Sequence, residues 1–311
     1  MSPLVFFPFC AALAALLLPA CSRVEPNAPR GPGPATRVIP ASATAVDFVH
    51  ALIEPQRVAA VPSQALEYST IHDEPLAWSS VARFDAYLAE QVLALHPDLV
   101  LVDPWQAPET TARLREFGVR VVLLPEIATW EQARAALLDL ARELQAEDRA
   151  RPLLAELDRR VSGLRERALK RPPLRVLCYS NFGGAGSTAG ANTTLDSVCR
   201  MLGLTNVIAE RGQRGHVGLT FEDLLQLDPD VVLVSRPLKM AAGAAGDRGG
   251  ASERLLYSEP ALANLRAVRE KRVVALPAWL FATGSHELVS AAEALERELE
   301  PLLARLEAHS R

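Results

Sequence analysis

One stretch of this chain occurs twice, and the repetition limits what the rest can be. From Glu90 the sequence reads Glu-Gln-Val-Leu-Ala-Leu-His-Pro-Asp-Leu-Val-Leu-Val, ending at Val102. From Glu222, 132 positions after Glu90, it reads Glu-Asp-Leu-Leu-Gln-Leu-Asp-Pro-Asp-Val-Val-Leu-Val, ending at Val234. Each copy is a short helix stopped by a proline, because Pro97 and Pro229 lack an N–H and disfavour helix in the residue before them. Each then enters an unbroken apolar strand, the pattern of a strand covered on both faces in a parallel sheet. A duplicated helix–Pro-Asp–strand unit implies two lobes of similar build.

Around the copies, strands alternate with helices. Arg37 to Pro40 reads as a first strand, Ala43 to Leu52 as an amphipathic helix and Arg57 to Val61 as a second strand. Pro62 to Ser80 has no sustained period but carries Tyr68, His72 and Trp78, so it reads as a functional surface loop. Asp85 stands as an N-cap for a helix through Leu95, and Thr129-Trp-Glu-Gln132 has the spacing of a capping box. The helical pattern from there to Leu169 exceeds an ordinary helix, and is read as two helices parting near Asp148 to Pro152. After Arg171-Pro-Pro173 a second half begins with strand Leu174 to Cys178 and a Gly/Ser/Ala-rich loop, Tyr179 to Asn192, without a phosphate-binding pattern. Helix Thr194 to Leu202, ended by Gly203, follows, then a helix capped by Thr220 and strand Asp230 to Ser235. A mobile excursion, Pro237 to Ala251, precedes a last strand from Lys271 to Ala275 and a last helix from Glu287 to Ala308. No two strands are joined by a hairpin signal, so the fold class is α/β with two parallel sheets.

The 311 residues, 49% of them hydrophobic, suffice for two cores. A net charge of −4, no basic run and an aromatic content of 5% argue against nucleic acid as a partner. The N-terminus differs from the rest. Val5 to Ala20 is an apolar run of signal-peptide size, and Leu18-Pro-Ala-Cys21 resembles the lipobox of bacterial lipoproteins. Residues 1–21 are therefore read as a lipoprotein-type signal peptide whose Cys21 takes the lipid, and 22–36 as a Pro-rich tether. Several acyl chains on one cysteine would anchor the chain stably. With Cys10 in the signal, Cys178 and Cys199 remain, one ending a strand and one on the next helix. Disulfide geometry is demanding for such a pair, which favours two buried free thiols over a bridge.

From about Arg37 onward the chain resembles the helical-backbone class of bacterial ABC-transporter substrate-binding proteins, which serve cobalamin, haem and ferric-siderophore uptake. The resemblance is carried by both Glu…Leu-x-Pro-Asp-x-Val copies, by Ala191-Asn-Thr-Thr-Leu-Asp through Leu202-Gly-Leu-Thr-Asn206, and by Ala267-Val-Arg-Glu-Lys-Arg-Val-Val-Ala-Leu-Pro277. It implies two lobes, each a central parallel sheet flanked by helices, joined by one long helix with the ligand cleft between them. The boundaries expected are 37–147 for the N-terminal lobe, 148–170 for the joining helix and 171–311 for the C-terminal lobe. It further implies a monomer in the cell envelope, held to the membrane by lipid, without enzymatic activity or resident cofactor. Its partners would be a metal-chelate nutrient and an ABC-transporter permease dimer.

Site residues follow from that likeness and from strand-end positions. Glu90 and Glu222 match the glutamate that each lobe of the family offers to permease arginines, a charge-assisted contact. Trp105, Tyr179, Phe182, Arg236 and Trp279 fall on loops after strands, where α/β proteins line their clefts. Phe84 and His216 stand six residues before Glu90 and Glu222, where the family presents ligand contacts. Aromatic faces suit a corrin, porphyrin or catecholate, and Arg236 suits a carboxylate or an anionic iron complex. His216 is the histidine considered for axial ligation, against the commoner role of a hydrogen-bonding residue. No His/Asp/Glu set has the spacing of a bare-metal site.

Two other function classes compete. A receptor-fold lipoprotein without a transporter would act as a sensor or scaffold. A nitrogenase-like or chelatase enzyme shares the architecture, but two cysteines after export are too few for a four-thiolate cluster, and a cytosolic chelatase needs no export signal.

Overall fold

A computed structural model describes residues 33–181, 186–238, 250–281 and 283–309. The signal peptide and Cys21, most of the tether, Phe182 and most of the 237–251 excursion lie outside them. The first half runs β1 (Val38–Pro40), α1 (Ala43–Leu52), β2 (Ala60–Pro62), α2 (Ala65–Tyr68), β3 (Ala82–Phe84), α3 (Ala89–Ala94), β4 (Leu99–Val102), α4 (Pro108–Glu116) and β5 (Arg120–Leu123). Next come α5 (Trp130–Glu143) and α6 (Glu147–Ala168). The second half runs β6 (Arg175–Cys178), β7 (Ser180–Asn181), β8 (Gly186–Ala189), α7 (Thr194–Met201), β9 (Thr205–Asn206), α8 (Val207–Glu210), β10 (His216–Leu219), α9 (Phe221–Leu227) and β11 (Val231–Arg236). It closes with α10 (Gly250–Ser258), α11 (Arg266–Arg269), β12 (Val273–Pro277), α12 (Ala278–Phe281) and α13 (Leu288–His309).

Both repeat copies fold alike, and the structure shows what their Pro-Asp does. In the first, Asp98 Oδ1 accepts the Arg37 N–H at 3.0 Å, while the Arg37 guanidinium donates to the Leu95 and His96 carbonyls at 2.6 and 3.0 Å. In the second, Asp230 Oδ2 accepts the Arg175 N–H at 2.8 Å, and Arg175 donates to the Leu227 and Asp228 carbonyls at 3.0 and 3.4 Å. An arginine opening the neighbouring strand thus satisfies the orphan carbonyls at each helix end, a standing requirement of helix C-termini. The residues before the prolines, His96 and Asp228, both turn left-handed, with φ of 48° and 37°. That turn aims the chain back into the sheet.

β4 lies between β1 and β5, all parallel, and an isolated parallel bridge from Val38 to Val58 brings β2 and β3 onto the same layer. In the second half the parallel order is β12-β11-β6-β9. Successive residues of the repeat strands serve different cores. Leu99, Leu101, Val231 and Leu233 point into one apolar cluster that also takes in α5, α6 and α13. Val100 and Val102 enter a second cluster private to the first half, and Val232 and Val234 a third private to the second. The shared cluster therefore runs unbroken between the two sheets, and α13 packs on α5, α6 and α7.

Several sequence expectations need correction. The 62–80 stretch is ordered in part: α2 and a 3-10 turn, Thr70–Asp73, occupy its first portion, and turns follow to Ser80. The helix carrying Glu90 starts at Ala89 with Leu88 as N-cap, so Asp85 caps nothing there. The break in the long helical run falls at Gln145 rather than Asp148 to Pro152. Gln145 takes φ 53°, and the Ala146 N–H reaches the Ala141 carbonyl at 2.7 Å, a Schellman stop with glutamine where glycine is usual. Pro152 is carried inside α6. The Tyr179 to Asn192 loop contains strands, and β7, β8 and β10 form an antiparallel sheet that no hairpin signal announced.

Candidate functional site

Two adjoining cavities lie where the halves meet. The first, about 390 Å³, is walled by Ser180, Asn181, Ser187, Thr188, Thr193, Thr194, His216, Ser235 and Ser252 from the second half, with Phe281 and, from the first half, Tyr68. The second, about 400 Å³, is walled by Thr44, Asp103, Trp105, Glu126 and Gln132 on one side and Asn192, Thr193, Thr194, Gly215 and His216 on the other. Thr193, Thr194 and His216 belong to both, so the two spaces form one cleft with His216 at its waist.

Local structure explains these placements. The Gln106 side chain accepts the Asp103 N–H at 3.0 Å and donates to the Ala41 carbonyl at 2.8 Å, pinning the 103–106 turn and leaving Trp105 75% exposed over the cleft. Burial raises the Asp103 carboxyl beside it, against the Ser42 hydroxyl. His216 opens β10, where the Gly190 N–H donates to the Gly215 carbonyl at 2.8 Å, and its imidazole stands between the two cavities. Thr193 caps α7 by accepting the Asp196 N–H and donating to the Gly190 carbonyl at 2.8 Å. The Asn206 of the Leu-Gly-Leu-Thr-Asn motif is buried and donates to the Ala189 carbonyl at 3.0 Å and to Asp196 at 3.2 Å, tying α7 to the wall strand β8. Cys178, on the cavity wall, and Cys199 are free and buried, as expected.

The expected site residues divide. Trp105 and His216 line the cleft. Phe84 and Tyr179 do not: both are buried in the private cores, because each side chain points to the face of its sheet that helices cover. Trp279 packs its ring 5.0 Å from that of His72, joining α12 to the first half, and Phe281 on the same short helix faces the cavity instead. Arg236 is half-buried at the end of β11 and lines neither cavity. Sequence reading put Tyr68 on a functional loop without placing it in the cleft, and missed the row of serine and threonine hydroxyls. A tyrosine in a loop without periodicity was the one available signal. Glu90 and Glu222 are both exposed and both occupy the second position of their helices, so the two copies present them alike. Among the described residues, no group of three or more His, Cys, Asp or Glu side chains is placed to hold a bare metal ion, and no helix is long and apolar enough to cross a membrane.

Residues 42–280 match the family model described as periplasmic binding protein. The chain belongs to the periplasmic binding protein family. Its fold is that of solved periplasmic binding proteins. The periplasmic haem-binding protein BhuT, solved with two haems, is 27% identical with a TM-score of 0.71, covering 86% of this chain and 98% of that one. The periplasmic haem-binding protein RhuT from Roseiflexus sp. RS-1, in apo form, is 23% identical with a TM-score of 0.72, covering 85% of this chain and 97% of that one. Among curated proteins, the Fe(3+)-citrate-binding protein YfmC of Bacillus subtilis is 20% identical over 146 residues, 47% of this chain and 46% of that protein. That match spans less than half the length of either. These likenesses agree with the helical-backbone class read from the sequence, and the family places this periplasmic binding protein outside the cytoplasm.

Proposed function

We propose that this periplasmic binding protein captures a metal-chelate nutrient (cobalamin, haem or a ferric siderophore) in the cleft and delivers it to an ABC-transporter permease. The observation that carries the reading is the cleft itself: Trp105 from one half and His216 from the other line a single space, with Tyr68 entering beside them. An exposed indole offers a flat apolar face, and imidazole and phenol offer a nitrogen and an oxygen donor. The metal arrives already chelated. The role is binding rather than catalysis, and the lobes are taken as 37–147 and 171–311 with 148–170 between them.

Delivery rests on Glu90 and Glu222, which meet permease arginines, and anchoring on lipid at Cys21. A tryptophan-fluorescence titration with cobalamin, haem and ferric siderophores tests capture. One compound should quench saturably at submicromolar concentration, and Trp105→Phe should abolish most of that signal. Flat traces for every compound would sink the reading. Glu90→Ala/Glu222→Ala should keep the affinity and lose uptake; unchanged uptake would point to a receptor without a transporter. Cys21→Ser should move the protein from the membrane to the soluble fraction.

A further inference from the structure

The described residues that line the cleft are short of positive charge. Among the described residues lining its two cavities there is no lysine or arginine, whereas Asp103 and Glu126 supply two carboxyl groups. A smaller polar recess adjoins it through Ala128 and Asn192, and its two arginines are already matched. Arg165 donates to Glu131 at 3.0 Å, and Arg200 is paired with Asp196.

What the wall offers instead is neutral hydrogen bonding. Ser180, Ser187, Thr194, Ser235 and Ser252 bring hydroxyls. The Tyr68 phenol adds another hydroxyl. A polyanion entering such a space gives up its hydration and meets no cation among the described lining residues, a costly kind of burial. Asp103 and Glu126 add like-charge repulsion at the Trp105 side. A neutral chelate exchanges water for hydroxyl donors at little net cost.

We propose that this cleft selects metal chelates that present no net negative charge to it, admitting neutral or cationic complexes and rejecting polyanionic ones. The proposal rests on the reading of the chain as a metal-chelate receptor. Three matched sets separate charge from shape. One is ferrioxamine B with its cationic amine, its N-acetyl form and its N-succinyl form. The others are haem against haem dimethyl ester, and cyanocobalamin against its monocarboxylic acid.

Equilibrium dialysis with the full chain gives each affinity. In whichever set binds, the member carrying the extra negative charge should be at least tenfold weaker. Thr194→Lys, which places a cation where both cavities meet, should recover tenfold for that member. Equal or tighter binding of the negative member would overturn the proposal and leave the receptor reading standing. No binding by any member, to protein with native circular dichroism, would remove the receptor reading and this proposal with it.

Discussion

Asp47 Oδ2 accepts a 2.9 Å hydrogen bond from Ser285 Oγ, joining α1 to the segment that leads into α13 across 238 positions of sequence. Its other oxygen accepts the Thr70 N–H at 2.9 Å and the Thr70 hydroxyl at 3.2 Å. Asp47 is 1% exposed, and burial, helped by Glu287, raises its carboxyl to about 8 despite these donors. Between the ordinary value of 3.8 and the folded value near 8, the native chain holds a proton that the unfolded chain has released. Stability from this group is therefore full below the lower value and falls as pH rises through that window, with a slope approaching about 1.4 kcal/mol per pH unit. Denaturant melts at pH 5 and pH 8 should show the wild type losing stability relative to Asp47→Asn. Parallel pH profiles for the two proteins would refute it.

A second buried carboxylate is held differently. Glu296, 8% exposed, receives Arg167 through two bonds of 2.9 and 2.7 Å and is also paired with Arg171, whose guanidinium reaches the Leu202 carbonyl at 3.1 Å. Glu296→Ala takes the paired carboxylate from the half-buried Arg171, leaving it only the field of Glu300. A loss of roughly 3–5 kcal/mol is expected in urea unfolding, the range for breaking one side of a buried pair. A loss under about 1 kcal/mol, the value of an exposed pair, would show that solvent reaches the cluster.

Gly190 stands where a side chain has no room. A Cβ there would lie 2.5 Å from the Gln213 carbonyl oxygen, which is backbone and cannot swing aside. Gly190→Ala must shift the strand ends that hold His216. It should lower stability by about 1–3 kcal/mol, as overpacking does, and weaken ligand binding in the fluorescence titration. Wild-type stability and affinity together would show that the segment yields freely.

The two described thiols should be inert. Burial raises Cys199 to about 12, Asp196 adding to the effect, and raises Cys178 further with Cys199 beside it. Thiolate is the reactive form. In Cys10→Ser/Cys21→Ser protein at pH 8, a thiol reagent should label neither residue until denaturant is added, and then both. Rapid labelling of the native protein would contradict the buried placement.

Where the sequence carried a two-fold signal, it was legible. The repeat placed both helix–strand units, and Thr129 and Gly203 marked helix ends where the structure has them. It failed where a common residue did a specialist's work, as Gln145 does in a glycine's place. It also failed for Phe84 and Tyr179, because a residue's position at a strand end does not say which face of the sheet its side chain takes. The serine and threonine wall was invisible for the opposite reason. Its hydroxyls come from segments far apart in sequence, each unremarkable alone, and only the crossing of β8, β11 and α10 collects them.

The apolar cluster that passes from β4 through α6 and α13 to β11 has a thermodynamic corollary. Neither sheet can melt and leave its neighbour's oily underside covered, so both walls of the cleft live or die as one cooperative unit. The room a cargo meets is therefore built in when the chain folds rather than assembled around the guest, and little ordering entropy remains to be lost on capture.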